Sequence, residues 1–211
     1  MTNRYSRMLQ ELSNVKTLFA SRGWMLATSG NFSVRVHEKP LEFFISVSGR
    51  DKSISRPDDF ILVNDRGEPI KSKKNKEKQG LKPSAEVGIH AEIYKRISAG
   101  VILHVHTLSN TYASIHSQEP TQFTIQDLEM IKGLGIWEEE NRVQIPIVPN
   151  DYHLDRLSLA VGKAIRTSTP GVLLRGHGLY AWGKNLHEAK RNVEAFEFLF
   201  QFFCLEERKK S

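Results

Sequence analysis

Two histidines, His104 and His106, stand two residues apart in the otherwise apolar segment VILHVH. The composition of this segment predicts a buried strand. Alternate side chains of a strand project from the same face of a sheet, so both imidazoles are predicted to point the same way, which suits two ligands of one metal ion. The alternative is that one histidine packs in the core and the other forms a hydrogen bond at the strand end.

A third histidine, His177, lies between Gly176 and Gly178. Flanking glycines permit a tight backbone path and the close approach of an ion, although an ordinary turn histidine fits the same pattern. Three neutral imidazoles leave the fourth position of a tetrahedral zinc open, which is the arrangement of catalytic sites. Cys204 is the only cysteine, which excludes a cysteine-rich zinc module. A metal here would be bound by histidines and carboxylates.

Two acidic residues are candidates for proton transfer. Glu86 falls in the first turn of a helix predicted to begin near Ser84, where a carboxylate interacts well with the helix dipole, so a purely capping role is the alternative. Glu129 lies among apolar neighbours in IQDLEMIKGLG. Burial of that kind raises the pKa of a carboxyl and suits a general acid or base, whereas an exposed helix residue is the alternative.

Three short segments combine small, hydroxyl and glycine residues, namely TSGNFS (28–33), SVSGRDK (46–52) and Pro83 with Ser84. Such segments can offer backbone N–H groups, hydroxyls and a lysine to a phosphate. Each is a weak signal alone, because most Ser-Gly turns are structural. Together they make an anionic ligand one hypothesis for this chain.

Helices and strands alternate along the sequence around these residues. Apolar residues every three or four positions over 3–22, followed by Gly23, predict an amphipathic helix. Further helices are predicted from near Ser84, over 151–166 and from Asn185. Branched and aromatic segments predict strands in FSVRV, FFISVS, FILV, VILHVH, QIPIVP and both halves of GVLLRGHGLYAWG. This alternation indicates an α/β domain.

The predicted C-terminal helix begins with a capping signature, Asn185 followed three residues later by Glu188. Its apolar side chains cover more than one helical face, and a helix of this kind usually contacts more than its own core. The helix is therefore predicted to form a subunit contact, although the alternation from Phe196 to Phe202 also fits a strand.

Length and composition fit one globular domain. The chain has 211 residues, of which 39% are hydrophobic and 26% charged, and these values argue against disorder and against a fibrous repeat. No apolar run approaches the roughly 20 residues of a membrane span, and the polar N-terminus has no signal-peptide stretch. A cytoplasmic protein without a membrane partner is expected.

The formal net charge of +6 suits an anionic partner, either nucleic acid or a phosphorylated metabolite. Much of this charge comes from the lysine-rich segment KSKKNKEKQG, which begins at Lys71. A nucleic-acid-binding segment would be expected to have aromatic residues among these lysines for base stacking, and none lies between Lys71 and Lys82. A solvated loop is favoured, so a small phosphorylated ligand is expected and nucleic acid is not.

In this order, the motifs TSGNFS, SVSGRDK, KPSAE, HVHT and RGHG resemble the class II aldolase/adducin family along nearly the whole chain. The segments KPSAEVGIHAEIY, LEMIKG and LLRGHGLYAWG are similar to the branch of that family that dehydrates methylthioribulose 1-phosphate in methionine salvage. The resemblance implies one catalytic domain over 1–211, with a central, mainly antiparallel sheet flanked by helices. It also implies a homotetramer with the active site near a subunit boundary.

The resemblance also assigns roles to single residues. It makes His104, His106 and His177 the ligands of one Zn²⁺ per subunit and Glu129 the catalytic acid or base. Glu86 matches the position where the family's aldolases carry their catalytic glutamate, so the division of roles between the two acids stays open. The implied phosphate contacts are Asn31, Ser48, Gly49, Lys52 and Ser84.

Three other functions remain open at this point. An aldolase or epimerase acting on a sugar phosphate would share every zinc residue, and only LEMIKG and its surroundings argue against it. A noncatalytic, adducin-like interaction module would be expected to lack the zinc histidines, all of which are present. A basic nucleic-acid-binding protein is the third, and it would bind mixed-sequence DNA with a steep salt dependence.

Overall fold

The computed structural model describes residues 2–70, 80–137 and 141–210 of the chain. The lysine-rich segment from Lys71 to Lys78 lies outside these ranges. The α-helices are α1 Thr2–Ser21, α2 Val87–Arg96, α3 Leu108–His116, α4 Leu154–Ala164 and α5 Leu186–Lys210. The strands are β1 Asn31–His37, β2 Glu42–Ser46, β3 Phe60–Asn64, β4 Val101–Val105, β5 Gln122–Gln126, β6 Arg142–Val148, β7 Gly171–Leu174 and β8 Gly178–Gly183. Within the described residues, 3₁₀ segments cover Leu26–Thr28 and Glu129–Leu134.

The strands form one sheet in the order β3-β2-β1-β4-β8-β7-β6-β5. Every neighbouring pair is antiparallel except β6 and β7, which run parallel. The expected single α/β domain with a mainly antiparallel sheet is therefore confirmed. β4 lies at the centre, where His104 is paired with Asn31 of β1 on one side and with Tyr180 of β8 on the other.

Helices cover both faces of the sheet, and the alternation along β4 sets which face each side chain meets. Leu103 packs in a core with residues of α1, α3 and α5, whereas Ile102 packs with residues of α2 and α4. His104 follows Ile102 by two positions and so projects toward the α2 and α4 face. The start of α2, which follows Glu86, therefore lies on the same face of the sheet as His104.

α3 and β5 are not predicted from the sequence. α3 directly follows the histidine segment and is capped by Thr107, whose Oγ1 accepts from the N–H of Asn110 while Asn110 Oδ1 accepts from the N–H of Thr107. This is a reciprocal cap built with Asn in place of the usual Glu or Gln. The helix therefore lacks the sequence signature by which its start would be recognised.

The C-terminal helix α5 is capped as predicted, because Asn185 Oδ1 accepts from the N–H of Glu188 at 2.9 Å. Most of its apolar surface packs within the chain itself, since Phe196 and Phe200 are fully buried. Phe198 and Leu205 stay exposed, at 48% and 56%. The apolar surface of α5 that is available for a subunit contact is therefore smaller than the sequence pattern indicates.

Among the described residues, no helix combines the length and the apolar character needed to cross a membrane.

Candidate metal centre

The three histidines come from the end of one strand and from a neighbouring turn. His104 lies within β4, His106 follows the last residue of β4, and His177 lies in the turn that joins β7 to β8. Because β4 pairs with β8, the turn that carries His177 is brought beside the end of β4. One ring nitrogen of each histidine lies within 4.8 Å of the others, and the two Nε2 atoms of His104 and His106 are 2.8 Å apart. The structure thus brings the three predicted ligands together.

Gly178 makes this close packing feasible. A Cβ atom at this position would lie 2.6 Å from the carbonyl oxygen of Val105 and 3.0 Å from the ring of His104. Both distances are too short for ordinary contacts, so a side chain here would push β8 away from β4. The ring of His104 instead stacks on that of Tyr180, with centroids 3.8 Å apart and planes at 10°. Sequence analysis did not identify Tyr180.

Hydrogen bonds on the outer ring nitrogens orient two of the histidines. His104 Nδ1 lies 2.9 Å from the carbonyl oxygen of Leu179, which can only accept, so Nδ1 carries the hydrogen and Nε2 presents its lone pair. His177 Nδ1 lies 3.3 Å from Oδ1 of Asn150, a residue that sequence analysis did not identify. Such outer contacts are the usual way in which metal-binding histidines are held in one orientation.

Burial keeps His104 and His106 uncharged. It lowers the pKa of His104 well below its ordinary value and lowers that of His106 to about 4, with the neighbouring His177 contributing to the second shift. Both rings are therefore neutral at pH 7, as a metal ligand has to be. Three imidazoles beside a carboxylate are a donor set that fits a divalent cation.

Glu86 supplies that carboxylate. It occupies the N-cap position of α2, yet its side chain makes no capping hydrogen bond. Oε1 lies 3.1 Å from His177 Nε2 and Oε2 lies 3.4 Å from His104 Nε2, so the capping alternative is wrong. Burial opposes its charge, whereas the hydrogen bonds that the carboxylate accepts from His177 and Asn31 stabilise the charge and lower the pKa of Glu86.

Two cavities meet at His106. The smaller one, of about 410 Å³, is bordered by Glu86 and by the five residues implied as phosphate contacts, namely Asn31, Ser48, Gly49, Lys52 and Ser84. The larger one, of about 840 Å³, is bordered by His177 and by apolar and aromatic side chains that include Trp24, Leu26, Leu108 and Tyr112. Arg22 and Arg208 also border the larger cavity. A ligand held at the histidines therefore has a more polar space on one side and a more apolar space on the other.

The residues of the smaller cavity are not equivalent. Lys52 is 4% exposed, donates to the carbonyl oxygen of Arg50 at 3.0 Å, and has its pKa lowered by burial. Gly49 has φ +70°, a conformation that favours glycine. The amide of Asn31 is already engaged, since its Nδ2 donates to Glu86 and its Oδ1 contacts His90. Asn31 therefore holds the carboxylate of Glu86 in place. This role is additional to the phosphate contact that the resemblance implies.

The expectation that Glu129 is buried is wrong. Its side chain is 82% exposed and pairs with Lys132 at 2.9 Å. Ile131 and Leu134 of the same 3₁₀ segment turn inward, so the apolar neighbours in the sequence pack away from Glu129. This segment follows β5, the edge strand, and β5 lies four strand spacings, or roughly 19 Å, from β4. Within one chain, Glu129 is not among the residues that border the two cavities at His106.

Comparisons with known proteins identify the family of this chain. The sequence model of the Class II Aldolase and Adducin N-terminal domain family matches residues 10–204. Methylthioribulose-1-phosphate dehydratase of Persephonella marina is 45% identical over 191 residues, which cover 90% of this chain and 86% of the relative. The protein of the same name from Bacillus subtilis is 42% identical over 193 residues, which cover 92% and 90%.

Solved structures share the fold. L-Fuculose-1-phosphate aldolase from Thermus thermophilus has a TM-score of 0.74 at 24% identity, and the match covers 97% of each chain. A sugar-phosphate aldolase from Thermotoga maritima has a TM-score of 0.68 at 20% identity, with 95% of this chain and 94% of the other covered. The family match over most of the sequence confirms the resemblance seen in its ordered motifs. This chain belongs to the Class II Aldolase and Adducin N-terminal domain family.

Proposed function

We propose that this chain is a dehydratase that converts 5-methylthioribulose 1-phosphate to 2,3-diketo-5-methylthiopentyl 1-phosphate, a step of methionine salvage. One observation carries the proposal: a three-histidine group beside a carboxylate lies between a smaller, more polar cavity and a larger, more apolar one. The substrate has matching ends, a phosphate on C1 and a methylthio group on C5. The names of relatives at 42–45% identity support the same reaction.

His104, His106 and His177 would hold one Zn²⁺ per subunit. The ion would supply Lewis acidity toward the carbonyl on C2 and the neighbouring hydroxyl. The side chains around the ion would bind the substrate and transfer protons. Lys52, with the hydroxyls of Ser48 and Ser84, would bind the phosphate in the smaller cavity, since a buried ammonium group and hydroxyl donors suit an anion.

The other end of the substrate would lie in the larger cavity. With the phosphate bound on the Glu86 side of His106, the C4–C5 end points to the side bordered by Trp24, Leu108 and Tyr112. A thioether has no strong hydrogen-bonding group, so an apolar lining suits it. Transfer of a methylthio group from water to such a lining contributes about 1–2 kcal/mol.

Glu86 would remove the proton from C3. A general base has to be ionised before it accepts a proton, and the hydrogen bond from Asn31 stabilises the Glu86 carboxylate. The hydroxyl on C4 then leaves as water once an acid has protonated it, and the enol product ketonises. This division of labour makes Glu86 the base and leaves the acid role to Glu129.

Glu129 would reach the site of a neighbouring subunit. Within its own chain it borders neither cavity at His106, while large apolar side chains beside it are exposed, Met130 at 36% and Trp137 at 74%. The rim of the larger cavity is also apolar and exposed, with Leu26 at 67% and Leu108 at 92%. Two exposed apolar surfaces, one carrying an acid and one bordering the histidines, support a homotetramer with shared active sites.

The fate of the carbon chain tests the proposed function. Zinc-loaded protein incubated with methylthioribulose 1-phosphate is expected to release water and keep all carbons in one product. An aldolase would instead break the C3–C4 bond and yield dihydroxyacetone phosphate and methylthioacetaldehyde, and an epimerase would return an isomer of unchanged mass. Mass spectrometry separates the three outcomes, and either of the last two would overturn the proposal.

A further inference from the structure

A chain of four hydrogen bonds joins α2 to β1 and ends on Glu86. Tyr94 Oη lies 2.8 Å from Ser33 Oγ, which lies 2.6 Å from His90 Nδ1. His90 Nε2 lies 2.5 Å from Asn31 Oδ1, and Asn31 Nδ2 donates to Glu86 Oε2 at 2.6 Å. All members except Glu86 are at most 5% exposed, so water does not compete for these bonds.

The chemistry of the members fixes the direction of every bond between Glu86 and Ser33. An ionised Glu86 can only accept, so the amide of Asn31 turns Nδ2 toward it and leaves Oδ1 for His90. His90 must then donate from Nε2. Burial lowers the pKa of His90 to about 3, so the ring is neutral and carries a single hydrogen. Its Nδ1 therefore accepts from the hydroxyl of Ser33.

The ring of His90 is also held by packing. It meets Tyr180 edge to face, with centroids 5.5 Å apart and planes at 71°. Tyr180 in turn stacks on His104, so one aromatic ring separates His90 from the candidate metal centre. A rotation of the His90 ring that exchanged its two nitrogens would break the bonds to both Ser33 and Asn31. The arrangement therefore has one favourable tautomer.

We propose that His90, as the Nε2–H tautomer, is a positioning residue that orients Asn31 and thereby holds Oε2 of Glu86, leaving Oε1 directed at His177. His90 touches neither the three histidines' ring nitrogens nor the cavities, so it acts through Asn31. The catalytic consequence rests on the proposed function, because Glu86 is named there as the base. The tautomer and its effect on Glu86 do not depend on which reaction follows.

Two substitutions separate this role from simple packing. The side-chain amide nitrogen of Gln approximates the position of His90 Nε2, so His90→Gln keeps a donor to Asn31, whereas His90→Leu fills the space without one. We expect His90→Gln to keep kcat within about 3-fold and His90→Leu to lose roughly 10²-fold in kcat with little change in KM. Equal losses in the two variants would overturn the proposal.

A control removes a buried polar contact elsewhere. Asn192 on α5 is 3% exposed and donates to the carbonyl oxygen of Trp182, so Asn192→Ala disturbs folding without touching the chain that ends on Glu86. Its thermal stability should fall while kcat stays within about 3-fold of wild type. A loss of kcat in Asn192→Ala equal to that in His90→Leu would mean that stability alone explains the effect, and would overturn the proposal.

A spectroscopic measurement is independent of activity. ¹⁵N NMR of histidine-labelled, metal-free wild-type protein at neutral pH should show His90 with a protonated Nε2 and an unprotonated Nδ1, assigned by comparison with His90→Gln. The opposite tautomer, or a doubly protonated ring, would overturn the inference. If the wild-type protein does not dehydrate the substrate but shows this tautomer, the proposed function fails and the inference stands.

Discussion

Oε1 of Glu86 lies 3.1 Å from Nε2 of His177, which joins the start of α2 to the turn between β7 and β8. The contact explains why Glu86 does not cap α2, although it stands at the N-cap position. It also makes the carboxylate and the histidines one unit. Changes to the acid and changes to the ligands should therefore affect each other.

The first prediction concerns metal content. His106→Ala removes one of three nitrogen donors, and this should weaken zinc binding by more than about 100-fold, beyond the usual cost of losing an outer contact. The fold should persist because the ring is only part-buried. Elemental analysis after dialysis measures the loss, with His37→Ala, an exposed histidine at the end of β1, as the control. Full zinc occupancy in His106→Ala would remove this residue from the ligand set.

A second prediction concerns the smaller cavity. Lys52→Met keeps the length of the side chain but removes the ammonium group, so KM for the phosphorylated substrate should rise about 10-fold or more while kcat changes less. Inhibition by inorganic phosphate should weaken in parallel. Lys95→Met is the matched control, since Lys95 is exposed and pairs with Glu92. An unchanged KM in Lys52→Met would place the phosphate elsewhere.

The third prediction is a pH dependence of stability. The pKa of His90 is about 3 in the folded protein, whereas the ordinary value for a histidine, which applies to the unfolded chain, is 6.5. Between these values the unfolded chain binds a proton that the folded chain does not, so the free energy of unfolding falls as the pH is lowered from 6.5 toward 3. This residue contributes a slope of at most about 1.4 kcal/mol per pH unit.

His90→Gln cannot take up that proton and should lose stability less steeply over the same interval. Denaturant titrations of the two metal-free proteins at several pH values measure the difference, and other titrating groups cancel in the comparison. Parallel curves would show that His90 is already protonated in the folded protein, against the assignment of a neutral ring.

The fourth prediction tests whether active sites are shared between subunits. Glu129→Gln and His106→Ala are each expected to lower activity by roughly 10²-fold or more when present alone. If Glu129 serves a neighbouring subunit, mixed oligomers of the two variants contain some sites with both residues intact. Co-expression should then restore activity to a sizeable fraction of wild type, whereas sites confined to one chain would give no recovery.

The histidine group could be predicted from the sequence because its signals are local. Two positions of one strand share a face, and glycines flank the third histidine. The hydrogen bonds of Asn31 with Glu86 and His90 could not be predicted from the sequence, because they depend on how β1 packs against α2. Such a contact leaves no spacing pattern in a single sequence.

The error at Glu129 has a different origin. Apolar neighbours in the sequence indicate a buried acid only if they surround it in space, and in a 3₁₀ segment successive side chains point in different directions. Ile131 turns inward while Glu129 faces outward. The apolar pattern correctly located a packed segment, but the side of the segment on which the acid lies was set by the contact with α5.

The most direct test of the proposed dehydration compares product formation in wild type, His106→Ala and Glu86→Gln, all with measured zinc content. NMR with ¹³C-labelled methylthioribulose 1-phosphate follows C3 and C4 during the reaction. We expect conversion to the diketone in wild type, a loss of conversion in His106→Ala that follows the loss of metal, and a fall of roughly 10²-fold in Glu86→Gln with zinc retained. Diketone formation at the wild-type rate in zinc-loaded Glu86→Gln, or cleavage between C3 and C4 in wild type, would contradict the proposed mechanism.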